Sequence, residues 1–251
     1  MTGTLEGKVA FITGASDGIG EATAKVFARE GAKVAIVDVN DEGGQRVVSA
    51  IKEAGGEAMY IHADVSQEND VTSEVQQTVD HFGGLDCAFN NAGILGEMEL
   101  TADYSRESYD RVIAINLTGV WLCVQAELRY MIDHDGGSIV STASVAGLVG
   151  SPMLPAYSAA KHGVVGITQS TAKGYGKDGI RVNAVCPGII ETRLASPLME
   201  DPAATERAMT RQVLGRYGKP SEVAEAVAWL SSDAASFVTG IAMPIDAGYT
   251  A

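Results

Sequence analysis

Seven short apolar runs rich in Val, Ile and Ala recur along the chain, separated by longer stretches in which apolar residues return at helical spacing. The sequence predicts strands over Lys8–Thr13, Lys33–Asp38, Ala58–Ala63, Asp86–Asn90, Gly137–Thr142, Ile180–Cys186 and Ile241–Ile245. It predicts helices over Gly18–Glu30, Glu42–Ala54, Glu68–Phe82, Glu107–Ile132, Pro155–Tyr175 and Ser221–Leu230. Strands this short without strict alternation are buried on both faces, as in a parallel sheet, and the helices between them supply right-handed crossovers. The expected architecture is α/β: a three-layer doubly wound parallel sheet of about seven strands, with helices on both faces and ligands at the strands' carboxyl ends. One segment breaks the rhythm. Ile189–Leu214 carries Pro197, Pro202 and the apolar residues Leu194, Leu198, Met199 and Met209. A long insert at a strand's carboxyl end is a candidate lid.

Composition narrows the function classes. The 251 residues fit one domain over the whole chain, with no linker or low-complexity tract. The net charge is −14, from 32 acidic and 18 basic residues. Nucleic-acid binding draws on clustered Lys and Arg, so this balance argues against it, and against an anionic membrane surface. Cys87, Cys123 and Cys186 are widely spaced and odd in number, which disfavours a disulfide framework. The four histidines show no metal-ligand spacing. The first residues lack a basic region followed by a long apolar stretch, and no run of about 18 apolar residues occurs. The expectation is a soluble cytoplasmic protein with no bound metal.

Between the first strand and first helix lies Thr13-Gly14-Ala15-Ser16-Asp17-Gly18-Ile19-Gly20. Glycines there admit close backbone approach by a phosphate-bearing ligand, and the helix start adds free N–H groups and a positive dipole end. Asp38 ends the second strand, 18 residues beyond Gly20. An acid at that place hydrogen-bonds ribose hydroxyls and repels a 2′-phosphate, by about 4 kcal/mol for charges ~4 Å apart at an effective dielectric near 20. No Arg or Lys stands at Ser16, Asp17, Val39 or Asn40 to offset that charge. The reading is NAD in preference to NADP.

Tyr157 and Lys161 are four apart in a helical stretch and share a face, and Tyr157 is the one tyrosine with Lys at that spacing. Ser144 follows the fifth strand at its carboxyl end. A phenol beside an ammonium is a workable general acid once its ordinary pKa of ~10 is lowered, and a serine hydroxyl can donate to a carbonyl oxygen.

These residues together resemble the short-chain dehydrogenase/reductases, in the branch with a T-G-x-x-x-G-x-G loop. The match runs through essentially the whole chain: Thr13–Gly20, Asp64-Val65, Asn90-Asn91-Ala92-Gly93, Asn116, Ser144, Tyr157-x-x-x-Lys161 and Pro187-Gly188. Ser141 stands where the family often has Asn, and Ala143 where a second serine is common.

The resemblance implies a Rossmann fold and a catalytic tetrad of Asn116, Ser144, Tyr157 and Lys161. Tyr157 would transfer the proton, Lys161 lower its pKa and hold the nicotinamide ribose, Ser144 polarise the carbonyl, and Asn116 position a water. The cofactor loop would be Gly14, Ser16, Asp17, Gly18, Ile19 and Gly20, with Asp38 and Val39 at the ribose. Asp64 and Val65 would flank the adenine, and Asn90, Ala92 and Gly93 line the adenosine side. Pro187, Gly188, Ile190 and Thr192 would reach the nicotinamide end. With Ser144 and Tyr157, Leu95, Val145, Leu154, Leu198 and Met199 make a largely apolar pocket for a small alcohol or ketone. The implied activity is NAD-dependent interconversion of a secondary alcohol and a ketone, by an enzyme that commonly forms homotetramers. Two alternatives stay open: a 3-oxoacyl-carrier-protein reductase, and a non-catalytic NAD-binding protein of the same fold.

Overall fold

Each strand carries apolar side chains on both faces, so each must be covered twice. The computed structural model describes residues 3–200 and 202–251; the side chains of Leu198, Ala204 and Ala208 lie outside that description. The strands are β1 (Val9–Thr13), β2 (Lys33–Asp38), β3 (Glu57–His62), β4 (Cys87–Asn90), β5 (Gly137–Thr142), β6 (Ile180–Pro187) and β7 (Ala242–Ile245). They form one all-parallel sheet in the order β3-β2-β1-β4-β5-β6-β7. The helices are α1 (Gly18–Arg29), α2 (Asp41–Glu53), α3 (Glu68–Phe82), α4 (Arg106–Ile113), α5 (Val120–Met131), α6 (Pro155–Tyr175), α7 (Ser196–Met199), α8 (Pro202–Arg211) and α9 (Pro220–Ser231).

Strand alternation builds two cores, one per face. Ala10 and Ile12 of β1 and Val34 and Ile36 of β2 pack with Phe27 of α1, Val47 and Ile51 of α2, and Val223 and Val227 of α9. Phe11, Ala35 and Val37 pack with Val71 and Val75 of α3, Leu122 of α5 and Val164 of α6. Phe11, Phe27 and Phe89 are fully buried, and truncating such a ring to Ala costs about 3–5 kcal/mol. The strand order runs one way from β1 and the other way from β4. The crevice where a doubly wound sheet takes its ligand therefore opens between the carboxyl ends of these two strands.

The expected elements are present with ends shifted by a residue or so, with one exception. The helix expected over Glu107–Ile132 is two α-helices joined by a π-helical segment, Ala114–Gly119. Asn116 explains the interruption. Its Oδ1 accepts from Ile94 N at 2.9 Å and its Nδ2 donates to Ile94 O at 2.7 Å, so a polar side chain is drawn into the interior. Gly119 lets the same turn approach the strand-end segment after β3, where a Cβ would lie 3.0 Å from Val65 O. Among the described residues, Arg106–Met131 is the one helical run long and apolar enough to cross a membrane by length and composition. Half of its most apolar window is buried inside the fold, as in a core helix. The segment Ile189–Leu214 is structured: a short 3₁₀ turn at Arg193–Ala195, then α7 and α8. Ile190 pairs with Gly218 in a parallel bridge, and buried Gln212 accepts from Ile189 N at 2.7 Å.

Two carboxyls are wholly buried between α3 and α5. Glu127 accepts from Asn90 Nδ2 at 3.1 Å, and Glu74 lies near enough to feel its charge. Burial pushes both up to about 8, with the Glu127 charge adding to the effect on Glu74 and the Asn90 hydrogen bond opposing it on Glu127. An acid that holds its proton more tightly folded than unfolded supports the fold fully below its unfolded pKa of 4.5, and that support is lost as pH rises toward about 8. Glu127→Gln keeps an acceptor for Asn90 and cannot ionise. Thermal unfolding at pH 8 should therefore give the variant a Tm above the parent by about 2–4 °C or more, a gap that closes near pH 4.5. An equal Tm at both pH values would contradict ionisation of this pair.

Candidate active site

A single cleft of about 1110 Å³ runs across the carboxyl ends of the strands. Its floor is set where β1 and β4 leave the sheet. Thr13 Oγ1 accepts from Asn91 N at 3.0 Å and from Ala92 N at 3.2 Å, which ties the two strand ends together. Asn91 Nδ2 donates to Gly14 O at 3.0 Å, and its Oδ1 accepts from Thr142 Oγ1 at 3.2 Å, extending the tie to β5. Little space is left for side chains. A Cβ on Gly14, whose φ is +61°, would lie 2.7 Å from Ala92 Cα, and one on Gly20 would lie 2.1 Å from Gly14 O. The loop is thus a bare-backbone cradle at the start of α1, suited to a pyrophosphate.

Asp38 sits at the end of β2 on the cleft wall. Its Oδ2 accepts from Ser16 N and its Oδ1 from Asn40 N, both at 3.0 Å, so its carboxylate is fixed beside the glycine loop. Arg46 of α2 reaches the same loop, a neighbour that no motif announces. Its guanidinium donates to Ser16 O at 2.8 Å and to both oxygens of Glu21, at 2.8 and 2.6 Å. The Glu21 carboxylate is shared between that guanidinium and the Lys25 ammonium, whose Nζ donates to its Oε1 at 2.6 Å. Asp64 accepts from Ser66 N and Ser66 Oγ and, with Val65, lines the adjoining wall.

At the other end lie Ser144, Tyr157 and Lys161. Proline at the start of α6 fixes where the helix begins, and helical spacing puts Tyr157 and Lys161 on its cleft face. Lys161 is buried, and its Nζ donates to Thr142 O at 2.6 Å and lies 5.6 Å from the Tyr157 ring centroid. Burial draws its ammonium down to about 8. The Tyr157 phenol is pushed above its ordinary value by burial, with a hydrogen bond to Ser144 acting against that shift. Ser144 Oγ also accepts from Ala146 N at 3.1 Å, which sets its rotamer. Gly93 brings these parts together: a Cβ there would lie 3.3 Å from Asn116 Oδ1 and 3.7 Å from Lys161 Nζ.

Most of the expected site residues share this cleft. Gly14, Ser16, Asp17, Gly18, Ile19, Asp38, Val39, Asp64, Val65, Ala92, Gly93, Leu95, Ser144, Val145, Leu154, Tyr157, Lys161, Pro187, Gly188, Ile190 and Thr192 all line it. Four do not. Gly20 serves by making room, Asn116 lies just behind Gly93, and Met199 is off the wall. Asn90 turns into the core toward Glu127, and its neighbour Asn91 faces the cleft instead. The expected role of Leu198 concerns a side chain outside the described residues. Residues that no motif marks also line the cleft, among them Met98, Met153, Arg207, Arg211 and Tyr249.

Residues 14–250 match a family model described as enoyl-(acyl carrier protein) reductase. The chain is 46% identical over 249 residues to the 2,5-dichloro-2,5-cyclohexadiene-1,4-diol dehydrogenase of Sphingobium indicum, covering 98% of each chain. It is 43% identical over 250 residues to the cyclohexanol dehydrogenase of Acinetobacter sp., covering 100% of this chain and 98% of the relative. The crystal structure of levodione reductase superposes with a TM-score of 0.94 at 41% identity, covering 97% of this chain and 98% of that one. The chain belongs to the short-chain dehydrogenase/reductase family, and it is an oxidoreductase of the kind whose members bind NAD(P).

The Thr13 tie is open to direct test. Thr13→Val keeps the shape and removes the acceptor, leaving two N–H groups at the cleft floor without their partner. The expected loss of stability is about 2 kcal/mol or more by denaturant unfolding. A change within error of zero would show that the tie carries no weight.

Proposed function

We propose that the protein interconverts a ring secondary alcohol and its ketone, using NAD in preference to NADP and Tyr157 as the proton-transferring group. The observation that carries this reading is one cleft joining a glycine cradle and Asp38 at one end to Ser144, Tyr157 and Lys161 at the other. The named activities of its relatives, a cyclohexadienediol dehydrogenase and a cyclohexanol dehydrogenase, support the substrate class. The cradle fits the cofactor because each missing Cβ at Gly14 and Gly20 is backbone-limited. When bound, the nicotinamide exchanges a hydride with the carbinol carbon.

The chain's own groups handle the oxygen and its proton. In alcohol oxidation the Tyr157 phenolate accepts the hydroxyl proton; in ketone reduction the phenol returns it. Ser144 donates to the substrate oxygen and orients it. Lys161, held on Thr142 O, keeps a positive charge near the phenol and presents the rest of its donors to the nicotinamide ribose. Burial alone holds the phenol up, so its activation depends on positive charge gathered beside it. Asn116 is buried behind Gly93, which it shares as a neighbour with Lys161, and from there it is assigned to hold a water in the proton path. The segment 189–214 acts as the lid over the substrate. This assignment is supported by the contact of Thr192 with the glycine loop, where a Cβ on Gly18 would lie 3.1 Å from Thr192 Cγ2. The remaining partner is a second copy of the chain. Exposed Trp121 on α5 and exposed Phe237 and Ile241 before β7 fit a homotetramer. Three buried free thiols suit a reducing compartment, the cytoplasm.

Initial rates with cyclohexanol test the chemistry. Tyr157→Phe should retain NADH binding and lose about 10²–10⁴-fold in kcat, and the parent should prefer NAD over NADP by about 100-fold or more in kcat/KM. Unchanged turnover in the variant would remove Tyr157 from the reaction, and equal use of NADP would remove Asp38 from cofactor choice. Light scattering should give a mass near four chains; a monomer would refute the assembly.

A further inference from the structure

Gln212 is 1% exposed, a rare place for a side chain that carries both a donor and an acceptor. It follows directly on α8, where the insert 189–214 returns to the body of the fold. Its amide serves two backbone groups. Oε1 accepts from Ile189 N and Nε2 donates to Arg216 O, both at 2.7 Å. One planar group thus bridges the first residue of the insert, 23 residues back along the chain, and the turn that closes it.

Both ends of this bridge are fixed further. Gly218 N donates to Ile189 O at 3.0 Å and Glu191 N to Gly218 O at 2.8 Å, which draws the two ends of the insert together beside the amide. The Arg216 guanidinium donates to both oxygens of Glu222 on α9, at 2.8 and 2.6 Å. Tyr217 Oη donates to Thr205 Oγ1 of α8 at 2.9 Å, so the closing turn also holds the helix of the insert. On its other side the amide meets the cleft. A Cβ on Gly188 would lie 3.1 Å from Gln212 Oε1, and Gly188, Ile189 and Ile190 line the cleft at the end assigned to the nicotinamide. Gln212 stands behind that lining, so its effect on the cleft runs through Ile189.

We propose that Gln212 is a positioning residue, whose buried amide joins the cleft wall at Gly188–Ile190 to the C-terminal end of the lid, so that nicotinamide and lid are placed together. The proposal rests on the cofactor site and the lid proposed above, and it names the joint between them. A primary amide offers an acceptor and a donor in one plane without bringing a charge into the interior. A methionine of similar length would fill the space and leave Ile189 N and Arg216 O without these partners.

The test compares binding of NADH with binding of ADP-ribose, which is the cofactor without its nicotinamide. Gln212→Met should raise the Kd for NADH about tenfold and leave that for ADP-ribose within about twofold. Its kcat with cyclohexanol should fall about 10- to 100-fold. A general loosening of the fold would weaken both ligands alike, and that result, or no change in either, would overturn the proposal. Gln212→Glu keeps an acceptor for Ile189 N and should hold NADH within about threefold of the parent. A loss as large as that of Gln212→Met would remove the Ile189 bond from the account. Should Gln212→Met not fold, amide hydrogen exchange in the parent decides. NADH should slow exchange in both 189–192 and 212–218 more than ADP-ribose does; protection confined to 189–192 would overturn the joint. Should NADPH bind in place of NADH, the comparison is made with NADPH and 2′-phospho-ADP-ribose. Should the parent oxidise no cyclohexanol, the proposed alcohol chemistry fails, and the binding and exchange results still decide the role of Gln212.

Discussion

The cleft exists because the chain turns away in opposite directions from two adjacent strands, and the Thr13 hydroxyl holds that parting in one geometry. Accepting from both Asn91 N and Ala92 N, it satisfies two donors that leave the sheet without ladder partners. The distance so fixed is small enough to exclude a side chain at Gly14. Backbone N–H groups at the start of α1 are then left facing the crevice, which is what a phosphate needs. Asp38, the glycine loop and Tyr157 all take their places relative to this junction.

Burial governs the chemistry at the other end. Lys161 gives up water for one carbonyl, Thr142 O, and its ammonium falls to about 8 as a result. The phenol beside it moves the other way, since burial penalises phenolate. Both shifts favour the neutral forms. Asp17, Asp38 and Asp64 line the end beside the glycine loop, and Arg193, Arg207 and Arg211 line the end beside the 189–214 segment.

The sequence made much of this legible, for reasons that differ by element. The strands could be read because double-sided burial demands unbroken apolar runs, as in Lys33–Asp38, which matches β2 end to end. The glycine loop could be read because its spacing reports a local backbone requirement. The break in the Glu107–Ile132 helix could not, because the π-helical turn is set by a partner 22 residues away, Ile94, that helical periodicity cannot contain. Arg46 was hidden for the same reason: it meets Ser16 across 30 residues and belongs to no motif. The Asn90-Asn91 pair shows the limit most plainly. Two identical residues in sequence point to opposite sides of a strand end, and register alone decides that Asn91 reaches the cleft while Asn90 reaches Glu127. The arginines of α8 likewise meet the cleft only through the packing of a segment that sequence marked as an irregular insert.

In the proposed reaction, hydride passes directly between the alcohol carbon and the nicotinamide within this cleft. The most direct measurement uses cyclohexanol carrying deuterium at its carbinol carbon, with NAD, and mass spectrometry of the NADH formed. Direct transfer predicts that the deuterium appears in the NADH in proportion to the ketone produced. NADH formed without the label would contradict the account.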